Sequence, residues 1–114
     1  MAPVTYTCHL EFRESRAFSK RVDQLLSAEE YRALQLHLVA RPDAGQVIPG
    51  TGGLRKLRWS TGARGQGKRG GARVIYFRYV AKARVYLLAL YGKNEQADLS
   101  AQEKRVLRAL AEAD

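Results

Sequence analysis

The sequence predicts an α+β fold with the element order β-α-α-β-β-β-α, a mostly antiparallel sheet packed against helices. Three observations carry that reading. Apolar residues recur at helical spacing in the first half of the chain and at strand spacing in the second. Three consecutive strand-like segments are joined by connections too short for parallel crossovers, so they pair antiparallel. The length of 114 residues, 46% of them hydrophobic, suits one domain spanning residues 1–114 with a modest core.

Taken in order, Tyr6, Cys8, Leu10 and Phe12 alternate onto one face and predict a first strand from Tyr6 to Phe12. Phe18, Val22 and Leu25 then recur at helical spacing, so a short helix covers about residues 15–25. Ser27 with Glu30 has capping-box spacing, and Leu26 with Tyr31 stands where a hydrophobic staple would close a second helix start. Tyr31, Leu34 and Leu38 give that helix its apolar stripe, and Pro42 ends it in a turn, Pro42-Asp43-Ala44-Gly45. Leu54 to Trp59 reads as a strand and residues 62–71 as a glycine-rich loop. Arg73 to Val80 and Val85 to Tyr91, both rich in β-branched and aromatic residues, read as strands joined at Ala81-Lys82-Ala83. Ser100 and Glu103 repeat the capping-box spacing, and Val106, Leu107, Leu110 and Ala111 form the apolar face of a last helix.

The net charge is +9, and its placement is more informative than its size. Residues 1–45 balance six bases against six acids, and residues 93–114 carry four bases and five acids. Between residues 46 and 92 stand Arg55, Lys56, Arg58, Arg64, Lys68, Arg69, Arg73, Arg78, Lys82 and Arg84, with no acid at all. A confined excess of this kind makes a strong local field that attracts polyanions: nucleic acid, an anionic membrane surface or an acidic protein. A single cysteine, Cys8, excludes an internal disulfide framework and fits a reducing compartment as a small core residue. No apolar run approaches the length of a spanning helix, and MAPVTYTCHLEF lacks the blocks of a signal peptide. The expectation is a soluble, cytoplasmic protein with no membrane association. No exposed heptad argues for an obligate dimer, so the free chain is expected to be a monomer.

Several motifs fail on inspection. Gly62 to Lys68 matches the start of a phosphate-binding P-loop, but Arg69 stands where Ser or Thr must hold magnesium, and a strand follows where a helix N-terminus is needed. Gly65 to Gly70 matches GxGxxG and fails for the same reason. His9 and His37 read as ordinary surface or edge histidines, and Glu95, Asp98 and Glu103 as helix entry and capping. No metal site and no cofactor are expected from so few ligand-type residues.

Within the basic block, alternation puts Lys56 and Arg58 on one face of their strand and Leu57 and Trp59 on the other. A hairpin returns Arg73 near Arg58, and Tyr91 and Lys93 close the last strand on one side. These five are candidates to converge on one patch, while Arg64, Lys68 and Arg69 in the loop suit looser attraction to phosphate. If the target is RNA, the ribose 2′-OH lies beside the scissile phosphate and no external nucleophile is required. The protein must take the 2′-OH proton, steady the charge on phosphorus and protonate the leaving 5′-oxygen. Crowded cations offer a route without histidine: like charges disfavour protonated lysine, and arginine clamps phosphate oxygens bidentately.

The segments GTGGLRKLRW, GKRGGARVIYF and YLLALYGKNEQADLS, in this order, together with EEYRALQ in the second helix, resemble the HigB branch of the RelE/ParE superfamily of toxin–antitoxin toxins. The resemblance covers roughly residues 29–100. It implies a RelE-like fold with a curved sheet and a ribosome-dependent mRNA interferase, an endoribonuclease that cuts messenger RNA in the A site and stops translation. It also implies a HigA-like antitoxin with a helix-turn-helix domain. On these motifs Arg73 matches the arginine used against the scissile phosphate, Lys56 a lysine with a proton-transfer or phosphate role, and Lys93 a basic residue after the last strand. Arg58 is a softer match on the Lys56 face. Asn94 stands where the RelE branch has a further arginine, and that branch's C-terminal tyrosine has no counterpart, so Tyr91 is taken in its place. Two other readings remain open: a non-catalytic gyrase inhibitor on the same fold, and a basic RNA- or ribosome-binding module.

Overall fold

A computed structural model describes residues 10–59, 71–92 and 99–113. The described elements are β1 (Glu11–Glu14), α1 (Arg16–Leu25), α2 (Ala28–Ala40), β2 (Gln46–Val47), β3 (Arg55–Trp59), β4 (Ala72–Tyr79), β5 (Arg84–Gly92) and α3 (Ala101–Ala113), with a short 3-10 turn at Val80–Lys82. The strands form one sheet in the order β1-β5-β4-β3-β2. Pairing is antiparallel from β2 through β5, and β1 joins the outer side of β5 in parallel. This is the mostly antiparallel α+β architecture that the sequence predicts.

The helix starts follow from local chemistry. The Ser15 hydroxyl accepts the Phe18 N–H at 3.0 Å and donates to the Leu88 carbonyl at 2.7 Å, so one side chain caps α1 and pins it to β5. Ser27 and Glu30 make both bonds of a capping box at the start of α2, and Ser100 and Glu103 repeat it before α3. Pro42 follows the end of α2, and the turn after it is closed by Ala44 N–H donating to the Arg41 carbonyl.

The sheet is covered on both faces. On one, α1 and α2 bring Phe18, Val22, Leu34 and Leu38 onto Phe12, Val74, Tyr76, Val85, Leu87 and Leu90. On the other, α3 sets only Leu107 and Ala111 on Leu54, Ile75, Leu88 and Ala89. Strict alternation along β5 is interrupted by a β-bulge: Ile75 pairs with Ala89 and Tyr76 with Leu87, so Leu88 is the extra residue. Leu88 and Ala89 therefore both serve the α3 face, while Leu87 and Leu90 both serve the other.

The structure departs from the sequence reading at three places. The first strand runs Glu11–Glu14, two residues past Phe12, because its partner is the parallel neighbour β5; Tyr6 to His9, Cys8 included, lie outside the described residues. The two-residue strand β2 was not expected, since two exposed residues have no period to read. On α3, Leu107 and Ala111 are buried, but Val106 and Leu110 are exposed. A helix lying on a narrow strip of sheet buries one i, i+4 row, not the full apolar arc.

Candidate functional site: a cationic cleft beside the third helix

Residues between α2 and β3 build one wall of a cleft. Gly50, Gly52 and Gly53 all have positive φ, at 77°, 74° and 118°, which explains the glycines of the GTGG segment. Thr51, buried among them, donates its hydroxyl to the Ile48 carbonyl and accepts the Leu54 N–H at 3.2 Å. The Ile48 N–H in turn donates to the Leu54 carbonyl at 2.8 Å. This knot fixes Ile48 and Pro49 beside the start of β3. Two cations of α3 hold the loop to the helix: Arg108 Nη1 donates to the Gly52 carbonyl at 2.9 Å, and Lys104 Nζ reaches the Pro49 carbonyl at 3.4 Å.

Upstream of β2, the turn is pinned from beneath. The Tyr76 hydroxyl donates to the Pro42 carbonyl at 2.8 Å and accepts the Gly45 N–H at 2.9 Å. Burial pushes the Tyr76 phenol above its usual pKa. Arg55 adds bonds to the Gly45 carbonyl at 2.7 Å and the Asp43 carbonyl at 3.2 Å. Gly45 leaves no room for a side chain, since a Cβ there would lie 2.9 Å from the Tyr76 ring and 3.0 Å from the Lys56 carbonyl.

The register sets the chemistry of the α3 face. Arg58 lies opposite Arg73, and Arg73 opposite Tyr91, in one row across β3, β4 and β5. Gln46, Lys56, Ile75 and Ala89 form the adjacent row. Directly opposed residues in an antiparallel pair have Cβ atoms about 5 Å apart, and like charges placed so destabilise the sheet. Arg58 and Arg73 thus place two cations side by side on this face of the sheet. A cleft of about 220 Å³ opens here, lined by Lys56, Arg73, Tyr91 and Lys104 together with Gln46, Val47, Ile48, Pro49, Ile75 and Leu99. None of these lining residues is acidic.

Four of the predicted residues, Lys56, Arg58, Arg73 and Tyr91, thus share one face: three line the cleft and Arg58 flanks Arg73. Lys93, Arg64, Lys68 and Arg69 lie outside the described residues. Other bases of the block have structural roles. Arg55 holds the turn, Lys82 sits over the Tyr79 ring at 5.2 Å, and Arg84 bonds Glu11 at 2.8 Å. Sequence reasoning missed Lys104, whose helix lies far along the chain from the basic block, and Gln46, on a strand too short to register. His37 packs on Trp59, ring centroids 5.3 Å apart, away from the cleft on the α2 side. Among the described residues no cluster of His, Cys, Asp and Glu is placed to hold a metal, and no helix is long and apolar enough to cross a membrane.

Residues 43–113, which contain every residue of the cleft, match the family model of the RelE toxin of the RelE/RelB toxin–antitoxin system. The chain belongs to this family. Its fold is also that of solved RelE structures. The isolated Escherichia coli RelE toxin superposes with a TM-score of 0.52 at 16% identity, over 87% of this chain and 96% of that one. The archaeal RelE–RelB complex from Pyrococcus horikoshii OT3 matches with a TM-score of 0.51 at 18% identity, over 76% of this chain and 98% of that one. At these identities the structural likeness concerns the fold, and the RelE-family assignment rests on the family model. That model begins just before β2, so β1, α1 and the whole of α2 stand outside the matched segment.

Proposed function

We propose that this RelE-family toxin is a ribosome-dependent mRNA interferase of the HigB branch, a metal-independent endoribonuclease that cuts messages in the A site and so inhibits translation. The observation that carries the reading is the row Arg58–Arg73–Tyr91 beside Lys56 in a cleft with no acid among its described lining residues. In this reaction the 2′-oxygen attacks phosphorus, the bond to the 5′-oxygen breaks, and a 2′,3′-cyclic phosphate and a 5′-hydroxyl result. Arg73 holds the non-bridging phosphate oxygens as charge builds on them. Lys56, Tyr91 and Lys93 are the groups assigned to phosphate contact and proton transfer. Arg58, with Arg64, Lys68 and Arg69, attracts the RNA backbone. No step requires a metal. Placement of the message by the ribosome supplies the orientation that a small open cleft lacks. The natural antagonist is a HigA-like antitoxin with a helix-turn-helix domain.

Primer extension on messages translated during toxin induction tests this reading. Discrete cuts within translated codons are expected, and they persist when the toxin is stripped with chelator and only the magnesium needed by ribosomes is restored. DNA damage linked to gyrase without such cuts would establish the gyrase-inhibitor alternative. Ribosome binding with neither outcome would establish the binding-module alternative.

A further inference from the structure

Two separate parts of the chain close the cleft. The sheet supplies Lys56, Arg73 and Tyr91, and the α3 side supplies Leu99 and Lys104. Cations from both sides surround one space, so without an anion between them they repel each other. Against that repulsion α3 sets little apolar burial: among its described residues only Leu107 and Ala111 are buried. Lys104 and Arg108 stand one helical turn apart and share a side of α3. The Lys104 contact to the Pro49 carbonyl, at 3.4 Å, is longer than a firm N–H···O bond. Arg108 is held more closely. Its Nη1 donates to the Gly52 carbonyl at 2.9 Å, its Nε bonds the Glu112 carboxylate at 3.0 Å, and its guanidinium lies 5.7 Å from the centre of the Phe77 ring. The loop backbone is shaped to receive it. A Cβ on Gly52 would lie 2.7 Å from the Arg108 guanidinium, and one on Gly53 would lie 3.2 Å from the Phe77 ring. Glycine at both positions lets loop, ring and guanidinium meet in one contact. One turn further on, the Tyr79 hydroxyl donates to the Ala111 carbonyl. Arg108 is not among the described residues that line the cleft.

We propose that Lys104 is a phosphate-holding residue of this site and that Arg108 is the positioning residue that keeps it there. By tying the Gly52 carbonyl to α3, Arg108 sets the width of the cleft. The Lys104 ammonium then shares the cleft with Lys56 and Arg73 before any anion arrives. That ammonium has three donors, and its long contact to Pro49 occupies one, which leaves the others for phosphate oxygens. Holding the three cations in place beforehand removes an ordering cost that binding otherwise bears. The inference rests on the RNA-cleaving reading above and adds to it a phosphate contact from α3 and the residue that places it. Arg108 itself touches no substrate and moves no proton.

A double-mutant cycle tests it in two settings. In the first, the free protein is titrated with inorganic phosphate at fixed ionic strength and followed by NMR chemical shifts. The wild type is compared with Lys104→Ala, Arg108→Ala and the double variant. Each single change is expected to weaken phosphate binding by about fivefold, the loss of one charged contact at an open site. The double variant should bind no more weakly than Lys104→Ala, because Arg108 acts through Lys104. Arg108→Lys keeps the charge and a donor for the Gly52 carbonyl, and it should bind within about twofold of the wild type. A merely structural residue, or a distant charge, would instead give losses that multiply in the double variant. Multiplying losses overturn the proposal, as does phosphate binding that neither single change weakens, or a loss in Arg108→Lys as large as that in Arg108→Ala. In the second setting the same proteins cut translated messages, and their cleavage rates should follow the same pattern. Cutting with multiplying losses overturns the Arg108 clamp and leaves the nuclease reading standing. Phosphate binding that follows the expected pattern, with no cutting of any message by the wild type, overturns the nuclease reading and leaves the clamp standing.

Discussion

The two faces of the sheet are built from alternate residues of the same strands, and they serve different ends. Toward α1 and α2, β4 and β5 turn Val74, Tyr76, Val85, Leu87 and Leu90, which close a core with Phe12 and Phe18. Toward α3, the same strands turn Arg73, Ile75, Ala89 and Tyr91, apolar in the middle and cationic at one end. The first face carries most of the apolar burial. The second buries less and sets Arg58 opposite Arg73. On the proposed function, the difference separates folding from function by side-chain parity: odd and even positions of β4 face opposite sides of the sheet.

Truncations on the two faces should differ most. Phe18→Ala removes a fully buried ring and is expected to lower stability by about 3–5 kcal/mol, whereas Leu107→Ala on the α3 face should cost about 2 kcal/mol. Urea unfolding of both variants checks this. Equal losses would mean that the α3 face carries as much of the fold as the other.

A smaller effect is expected where the large core reaches under the cleft. Tyr76→Phe removes the bonds to Pro42 and Gly45 and should cost about 1–3 kcal/mol. Because that turn feeds β2, nucleotide or RNA affinity should fall as well. A Tyr76→Phe variant that loses stability with its affinity intact would uncouple the two faces.

The smallest effect concerns pH. Tyr31 and Tyr76 are both pushed above the ordinary phenol value of 10.0, burial being the larger cause in each, with the Glu14 carboxylate adding to it at Tyr31. The folded state then keeps protons that the unfolded chain releases, so stability is present below pH 10 and falls as pH rises past it. Glu11 runs the other way. Arg84 holds its carboxyl below the usual 4.5, so that contribution is present above 4.5 and is lost as pH falls through the folded value. Thermal melts across pH should show the alkaline loss shrink in Tyr76→Phe and the acid loss shrink in Glu11→Gln.

Much of this was legible in the sequence, for definite reasons. Capping boxes at Ser27 and Ser100 locate helix starts because each satisfies an orphan N–H within four residues. Alternation sorted Lys56 and Arg58 from Leu57 and Trp59 because a regular strand has period two. The bulge at Leu88 was not legible: four apolar residues in a row, Leu87 to Leu90, show no parity to break. Gln46 and Lys104 were missed because their place in the cleft depends on strand register and helix docking. Neither leaves a local pattern. The glycines of GTGG carried the family resemblance, but their reason, positive φ around buried Thr51, appears only in three dimensions.

The central claim is that the α3 face does chemistry at Arg73, and Arg73→Ala tests it most directly. Cleavage of translated messages, co-sedimentation with ribosomes and thermal stability are measured on one preparation of this variant. The expected result is a cleavage rate lower by on the order of a hundredfold or more, with ribosome association and melting temperature nearly unchanged, because the guanidinium acts on charge that develops only in the transition state. Full cleavage by Arg73→Ala, or loss of cleavage and ribosome association in equal proportion, would contradict the account.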